Sequence, residues 1–166
     1  MGVGVGVIGT GVMGSEHARL VSREVPGAHL AGVFDADATR AKAAAAGATV
    51  FPDPRSLIAS DRIGAVIIAT PDATHGELAL ACLEIGKPVL CEKPLALTYA
   101  DAKEMFALAK AQGKVLTVGS HYRWSDPMRM AKAHVDAGFF GRIYAARTVW
   151  HRRSGIPGYG SWFTNH

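Results

Sequence analysis

Residues 3–14 read VGVGVIGTGVMG, and the reading of this stretch decides the fold. Val3 to Gly9 is a short β-branched run with the character of a strand. Gly9, Gly11 and Gly14 then stand in G-x-G-x-x-G spacing, and SEHARLVSREV (15–25) continues with apolar residues at helical intervals. A second strand, HLAGVFD (29–35), ends on an acid, Asp35. Strand, glycine loop, helix, strand and acid in this order form the arrangement that holds a dinucleotide. Gly9 permits the tight turn, Gly11 lets the backbone approach a pyrophosphate, and Gly14 lets helix and strand pack closely. The amides near Val12 and Met13, with the helix dipole, stabilise phosphate charge. Asp35 is expected to accept hydrogen bonds from the adenosine ribose. Its carboxylate repels a 2′-phosphate, which favours NAD, while Arg40 nearby is the group that would admit NADP. The plainer alternative is a glycine-rich turn in a non-binding domain with Asp35 as a helix cap, and the completeness of the arrangement argues against it.

Outward from this unit, strand-like and helix-like patterns alternate. An alanine-rich helix, ADATRAKAAAAG, closes at Gly47, and a short strand TVF and a short helix around PRSLIAS follow. GAVIIAT (64–70) is apolar on both faces, as a buried parallel strand must be. THGELALACLEIG, KPVLC, YADAKEMFALAKAQG and KVLTVG continue as helix, strand, helix and strand. This alternation predicts βαβ units and a doubly wound α/β domain with a parallel sheet over residues 1–120. From residue 121 the pattern changes. DPMRMAKAHVDAGFFG predicts a helix and RIYAARTVWHRR a long strand with no crossover helix after it, the incomplete start, over 121–166, of a second, α+β domain.

Bulk properties narrow the function classes. About half of the 166 residues are hydrophobic and 19% are charged, which suits a packed core. A net charge of +4 suits an anionic ligand, but no long basic run interleaved with aromatics marks a nucleic-acid surface. Cys82 and Cys91 lack metal-ligand spacing and read as small buried hydrophobes in a reducing compartment. The N-terminus is no signal peptide, and no apolar run approaches the ~20 residues that span a bilayer, so a cytoplasmic protein without membrane partners is expected. His17 and His134 fall in predicted helices and read as surface or packing residues. Trp150 and Trp162 read as packing aromatics before sugar-stacking ones, and WHRR (150–153) as a solvated strand end.

In an open α/β sheet, ligands bind beyond the carboxyl ends of the strands. ATPDATH (69–75) and CEKPLA (91–96) end successive strands, and GSHYRW (119–124) follows another, so three polar loops share the edge of the glycine loop. Together GTGVMG, TPDATH, GKPVLCEKPLA and HYRW resemble the Gfo/Idh/MocA family of nicotinamide-dependent oxidoreductases, in the correct order over essentially the whole chain. The resemblance implies a Rossmann domain and hydride transfer between NAD(P) and a hydroxyl or carbonyl of a sugar, inositol or related polyol. It implies Lys93 as the catalytic lysine that helps polarise the reacting oxygen, Glu92 as the acid beside the nicotinamide-side ribose, and Pro94 as a proline often preceded by a cis peptide. Thr70, Pro71 and His75 match the loop along the cofactor, and Arg123 the basic residue near the nicotinamide. His121 stands where the family often has asparagine, and Asp72 departs from the usual asparagine after the proline.

The chemistry agrees with that placement. Hydride leaves a carbinol carbon more readily as its hydroxyl loses a proton, so an acid–base group is needed beside the ring. A surface salt bridge between Glu92 and Lys93 is the plainer alternative, but adjacent residues at a strand end point apart. Members of the family are about twice as long, by resemblance, and carry a later G-G-G-x-L-x-D-x-G-x-H segment whose Asp and His complete the active site. The chain is therefore expected to be a partial form, weak or inactive alone, from a protein that forms homo-oligomers when full length. The competing class is a non-catalytic dinucleotide-binding module, redox-sensing or regulatory, which has no need of Lys93.

Overall fold

The computed structural model describes residues 2–151 and residue 153. The stretch SGIPGYGSWFTNH, with Trp162, lies outside the described residues. The chain divides into two compact units, one ending at Gly119 and one beginning at Ser120.

The first unit alternates as the hydrophobic periods dictate: β1 (Val3–Ile8), α1 (Val12–Arg23), β2 (Ala28–Phe34), α2 (Ala38–Ala44), β3 (Thr49–Val50), α3 (Pro54–Ala59), β4 (Ala65–Ile68), α4 (His75–Glu84), β5 (Val89–Cys91), α5 (Tyr99–Ala111) and β6 (Leu116–Val118). The strands form one six-stranded sheet in the order β3-β2-β1-β4-β5-β6, every pair parallel. This is the doubly wound Rossmann order, with its switch point between β1 and β4.

Each face of the sheet has its own core. Val5, Val7, Val33 and Ile67 bury against Ala18 and Val21 of α1 and Ala41 of α2. Ile8, Val66, Ile68 and Val89 bury against Leu57 of α3, Leu83 of α4 and Met105 of α5. Each such aliphatic side chain removed from water contributes about 1.5–3 kcal/mol. The alternation in VGVGV has a packing cause. The valines Val5 and Val7 face α1 and α2, while a Cβ on Gly6 would come within 2.6 Å of Leu57 Cδ2. Glycine there lets α3 lie close on the sheet.

Local caps set the helix starts. Asp37 accepts the Thr39 and Arg40 amides before α2, Asp53 the Ser56 amide before α3, and Thr98 the Asp101 amide before α5. The alanine-rich helix ends at Ala44, short of Gly47: Ala46 already takes a left-handed φ of 47°, and Gly47 follows at 89°.

Among its described residues the second unit holds a 3-10 turn, His121–Trp124, and one helix, α6 (Asp126–Asp136). His134 packs on Phe139 and Phe140 at ring separations of 5.3 and 6.3 Å. The strand expected over RIYAARTVWHRR is not formed in its described part, residues 142–151 and 153. Alternating β-branched and aromatic residues favour extended backbone, but a strand needs a neighbour for its N–H and C=O groups. Among the described residues this stretch is not one of the six strands of the sheet.

Candidate functional site

The register of the sheet brings the polar loops together. Ile8 pairs with Phe34 on one side and Ile68 on the other, Ile68 pairs with Cys91, and Cys91 with Val118. Five strands therefore stop at one level, and the next residues are Asp35, Gly9, Ala69, Glu92 and Gly119. From Asp35 to Glu92 the edge crosses three inter-strand spacings, roughly 14 Å. An extended dinucleotide can lie along such an edge.

At its centre is the glycine loop. Gly9 has φ 85°, and a Cβ there would lie 2.7 Å from the backbone of Ala69 and Thr70. A Cβ on Gly14 would collide with the Gly9 carbonyl. Gly11 is different: nothing lies within 4 Å of its Cβ position. It is the N-cap of α1 and offers no side-chain cap, in contrast to α2, α3 and α5. The start of α1 thus faces open space with Val12 and Met13 exposed, and its first amides suit a phosphate group. These residues fit the pyrophosphate of NAD.

Asp35 is already engaged with the loop. Its Oδ2 accepts the Thr10 amide at 2.6 Å and the Thr10 hydroxyl at 3.1 Å, and Oδ1 accepts the Asp37 amide at 2.8 Å. Arg40 Nη2 stands 3.2 Å from Oδ1 and its Nε 3.5 Å from Asp37. Burial alone would raise this carboxyl, but the two amides, the Thr10 hydroxyl and Arg40 outweigh it and hold Asp35 below its ordinary 3.8. The acid therefore fixes the loop, and the guanidinium that would welcome a 2′-phosphate is drawn to carboxylates.

After β4, Thr70 and Pro71 lead into a 3-10 turn, Asp72–Thr74, in which the Thr74 hydroxyl lies 2.7 Å from Thr70 Oγ1. Asp72 accepts the Ala73 amide at 2.9 Å. His75 opens α4 and is 1% exposed. Its Nδ1 lies 2.8 Å from the Pro94 carbonyl and its Nε2 2.9 Å from the Thr70 carbonyl, so the ring joins the loop after β4 to the turn after β5 from beneath.

In that second turn, Glu92 and Lys93 point apart. The carboxyl of Glu92 is buried, its Oε1 2.8 Å from His17 Nε2 and its Oε2 accepting the Lys93 amide at 3.1 Å. Lys93 is exposed, and among the described residues its ammonium has no partner. The surface salt bridge between the two is not formed. The Lys93–Pro94 peptide is cis. The sequence reading of His17 as a surface or packing residue missed this contact, and Thr10 was passed over. Thr10 is 2% exposed, and a hydroxyl residue inside a glycine loop was the available signal.

His121 and Arg123 lie in the 3-10 turn of the second unit, where the His121 ring lies tilted against Tyr122 at 4.2 Å. Trp150 packs edge-on against Tyr122 at 4.8 Å, consistent with a packing aromatic. At the opposite, amino-terminal edge of the sheet is a cavity of about 660 Å³ lined by Gly2, Gly4, His29, Asp61 and Arg62, and it contains none of the residues above. No helix among the described residues is long and apolar enough to cross a membrane.

Comparison with known proteins agrees with this geometry. Residues 3–120 match the Gfo/Idh/MocA model, described as an oxidoreductase family with an NAD-binding Rossmann fold. The chain is 47% identical over 146 residues to inositol 2-dehydrogenase 1 of Saccharopolyspora erythraea, a match covering 85% of this chain and 43% of that protein. It is 44% identical to inositol 2-dehydrogenase of Rubrobacter xylanophilus, covering 94% and 46%. Among solved structures, myo-inositol dehydrogenase from Lactobacillus casei in complex with NAD(H) and myo-inositol superposes with a TM-score of 0.79 at 35% identity, over 85% of this chain and 43% of that one. The chain thus spans less than half the length of these relatives. With the family model covering most of its residues, the chain belongs to the Gfo/Idh/MocA oxidoreductases and carries their NAD-binding Rossmann domain.

Proposed function

We propose that this protein takes part in the NAD-dependent oxidation of a ring hydroxyl on a cyclic polyol of the inositol class. The observation that carries the reading is the common level of the strand ends, which sets a lysine with no partner among the described residues on the same edge as the glycine loop. The relatives' names, inositol 2-dehydrogenase among them, supply the substrate class. When bound, NAD supplies the hydride acceptor.

The remaining work falls to the chain's own groups. The open Gly11 and the amides of α1 receive the pyrophosphate, and Asp35 turns toward the adenosine ribose. Thr70 and Pro71 run along the cofactor, and Glu92 and Pro94 shape the turn from which Lys93 emerges. Lys93 takes the proton from the reacting hydroxyl as a hydride departs from its carbon. The Asp/His segment that the resemblance implies has no counterpart in these 166 residues.

The test is a calorimetric titration with NAD and NADP, followed by polyol-dependent cofactor reduction read by absorbance. Lys93→Ala is expected to lower turnover about 100-fold or more while leaving NAD affinity unchanged. Unchanged turnover would favour the non-catalytic, redox-sensing module, which has no use for this lysine. Absence of NAD binding would reject the assignment of the loop.

A further inference from the structure

His17 lies in the middle of α1, where its helical position suggests only a surface or packing role. In the structure its Nε2 is 2.8 Å from Glu92 Oε1, a contact between residues 75 positions apart in the chain. A carboxylate oxygen accepts, so the ring Nε2–H donates. Glu92 is 6% exposed and has little room to turn elsewhere. A Cβ on Gly119 would come within 2.8 Å of its Cδ, so the backbone at the end of β6 walls its far side. A carboxylate so enclosed depends on the donors it has. Those donors are the His17 ring on one oxygen and the Lys93 amide on the other.

We propose that His17 is a positioning residue for Lys93: by holding the Glu92 carboxylate, it fixes the backbone from which the lysine leaves the sheet. What Lys93 does with that orientation rests on the dehydrogenase reading above; the coupling itself is geometric. The Lys93 side chain has no partner among the described residues, so its direction is set by the turn alone. Two imidazoles grip that turn, His17 through Glu92 before the lysine and His75 through the Pro94 carbonyl after it. The first grip comes from α1, the helix whose N-terminus opens on the glycine loop. The element that receives the cofactor phosphates thereby also orients the acid–base residue, and the two ends of the reaction are built against one rigid body.

His17→Ala tests this with two readouts. Native-state hydrogen exchange is expected to show the Lys93 amide exchanging about 10-fold faster, with the amides of β1 and β4 unchanged. Turnover is expected to fall about 10- to 100-fold, the usual cost of a displaced catalytic group, while NAD affinity stays within about 2-fold. His17→Gln, whose side-chain amide can donate to the same oxygen, is expected to restore both. Wild-type exchange at Lys93 in the alanine variant overturns the proposal. So does exchange accelerated across the whole sheet without rescue by glutamine, because His17 would then be a general packing residue. A fall in NAD affinity equal to the fall in turnover overturns it too, since His17 would then serve the cofactor directly. If the wild-type protein reduces no NAD with any polyol, the dehydrogenase reading fails, and the exchange measurement still decides whether His17 holds the turn.

Discussion

Replacing Gly11 by alanine separates the ligand from the fold. Nothing lies within 4 Å of the position a methyl would take, and the backbone there, φ −64° and ψ −162°, is open to alanine. Removing glycine from the unfolded chain stabilises by about 0.4–1 kcal/mol where the native dihedrals allow it. Alanine is the poorer N-cap, which offsets a similar amount, so the net change in stability is about 0.5 kcal/mol or less. On the proposed assignment, however, the methyl stands where the pyrophosphate comes against the first amides of α1. Losing one charge-assisted hydrogen bond costs about 1.5–3 kcal/mol, or roughly 10- to 100-fold in NAD affinity. Gly14→Ala is the control with the opposite cause. Its Cβ would collide with the Gly9 carbonyl oxygen and lie 2.8 Å from the Gly9 carbon, both backbone atoms that cannot swing aside. That variant is expected to lose about 1–3 kcal/mol of stability, and its binding with it. Urea unfolding followed by circular dichroism, with calorimetric NAD titration, reads both effects. If Gly11→Ala binds NAD as the wild type does, the loop is not the phosphate site. If it unfolds as readily as Gly14→Ala, the space around Gly11 is not open.

Two further perturbations test the flanks of the site. Asp35→Asn removes the carboxylate that pairs with Arg40 and is expected to raise NADP affinity relative to NAD by about 10-fold, the worth of one freed charge-assisted contact, measured by paired titrations. The same variant should alter the acid limb of stability. The folded Asp35 carboxyl lies below its ordinary 3.8, so its contribution is present above that value and is lost as pH falls below it. The asparagine variant lacks this component, and acid limbs of equal steepness would refute it. Cys82 and Cys91 are both 0% exposed, and burial pushes each thiol up to about 12, aided at Cys91 by the neighbouring Glu92 charge. A thiol reagent at pH 8 is therefore expected to label neither in the native protein and both after denaturation; rapid native labelling would mean the core between β5 and α4 is open.

The features readable in the sequence are those decided within a few residues. The periods of β1, α1 and β2 give the sheet order its start, and the EKP triplet marks its own strand end. Pairing is decided elsewhere. The strand expected after residue 141 had the right residues, but a neighbouring strand is not a local property, and residues 142–151 form no strand among those described. His17 shows the same limit with a usable clue. Gly14, Ala18 and Val21 are the buried positions of α1, and His17 follows Gly14 by three, so it lies at the border of the buried stripe. That spacing shows that the ring can turn inward. It cannot show that a carboxylate from the end of β5 waits there, because this depends on β4 separating β1 from β5 in the sheet. The opposed directions of Glu92 and Lys93 are, by contrast, a direct consequence of strand alternation. Cys91 ends β5 facing the α4–α5 core, Glu92 turns to the α1 side, and Lys93 comes out at the edge. One residue inserted between Cys91 and Glu92 would move the carboxylate out of reach of His17 and break the connection from the phosphate helix to the lysine. The identity of each residue in EKP is therefore inseparable from its distance to the end of the strand.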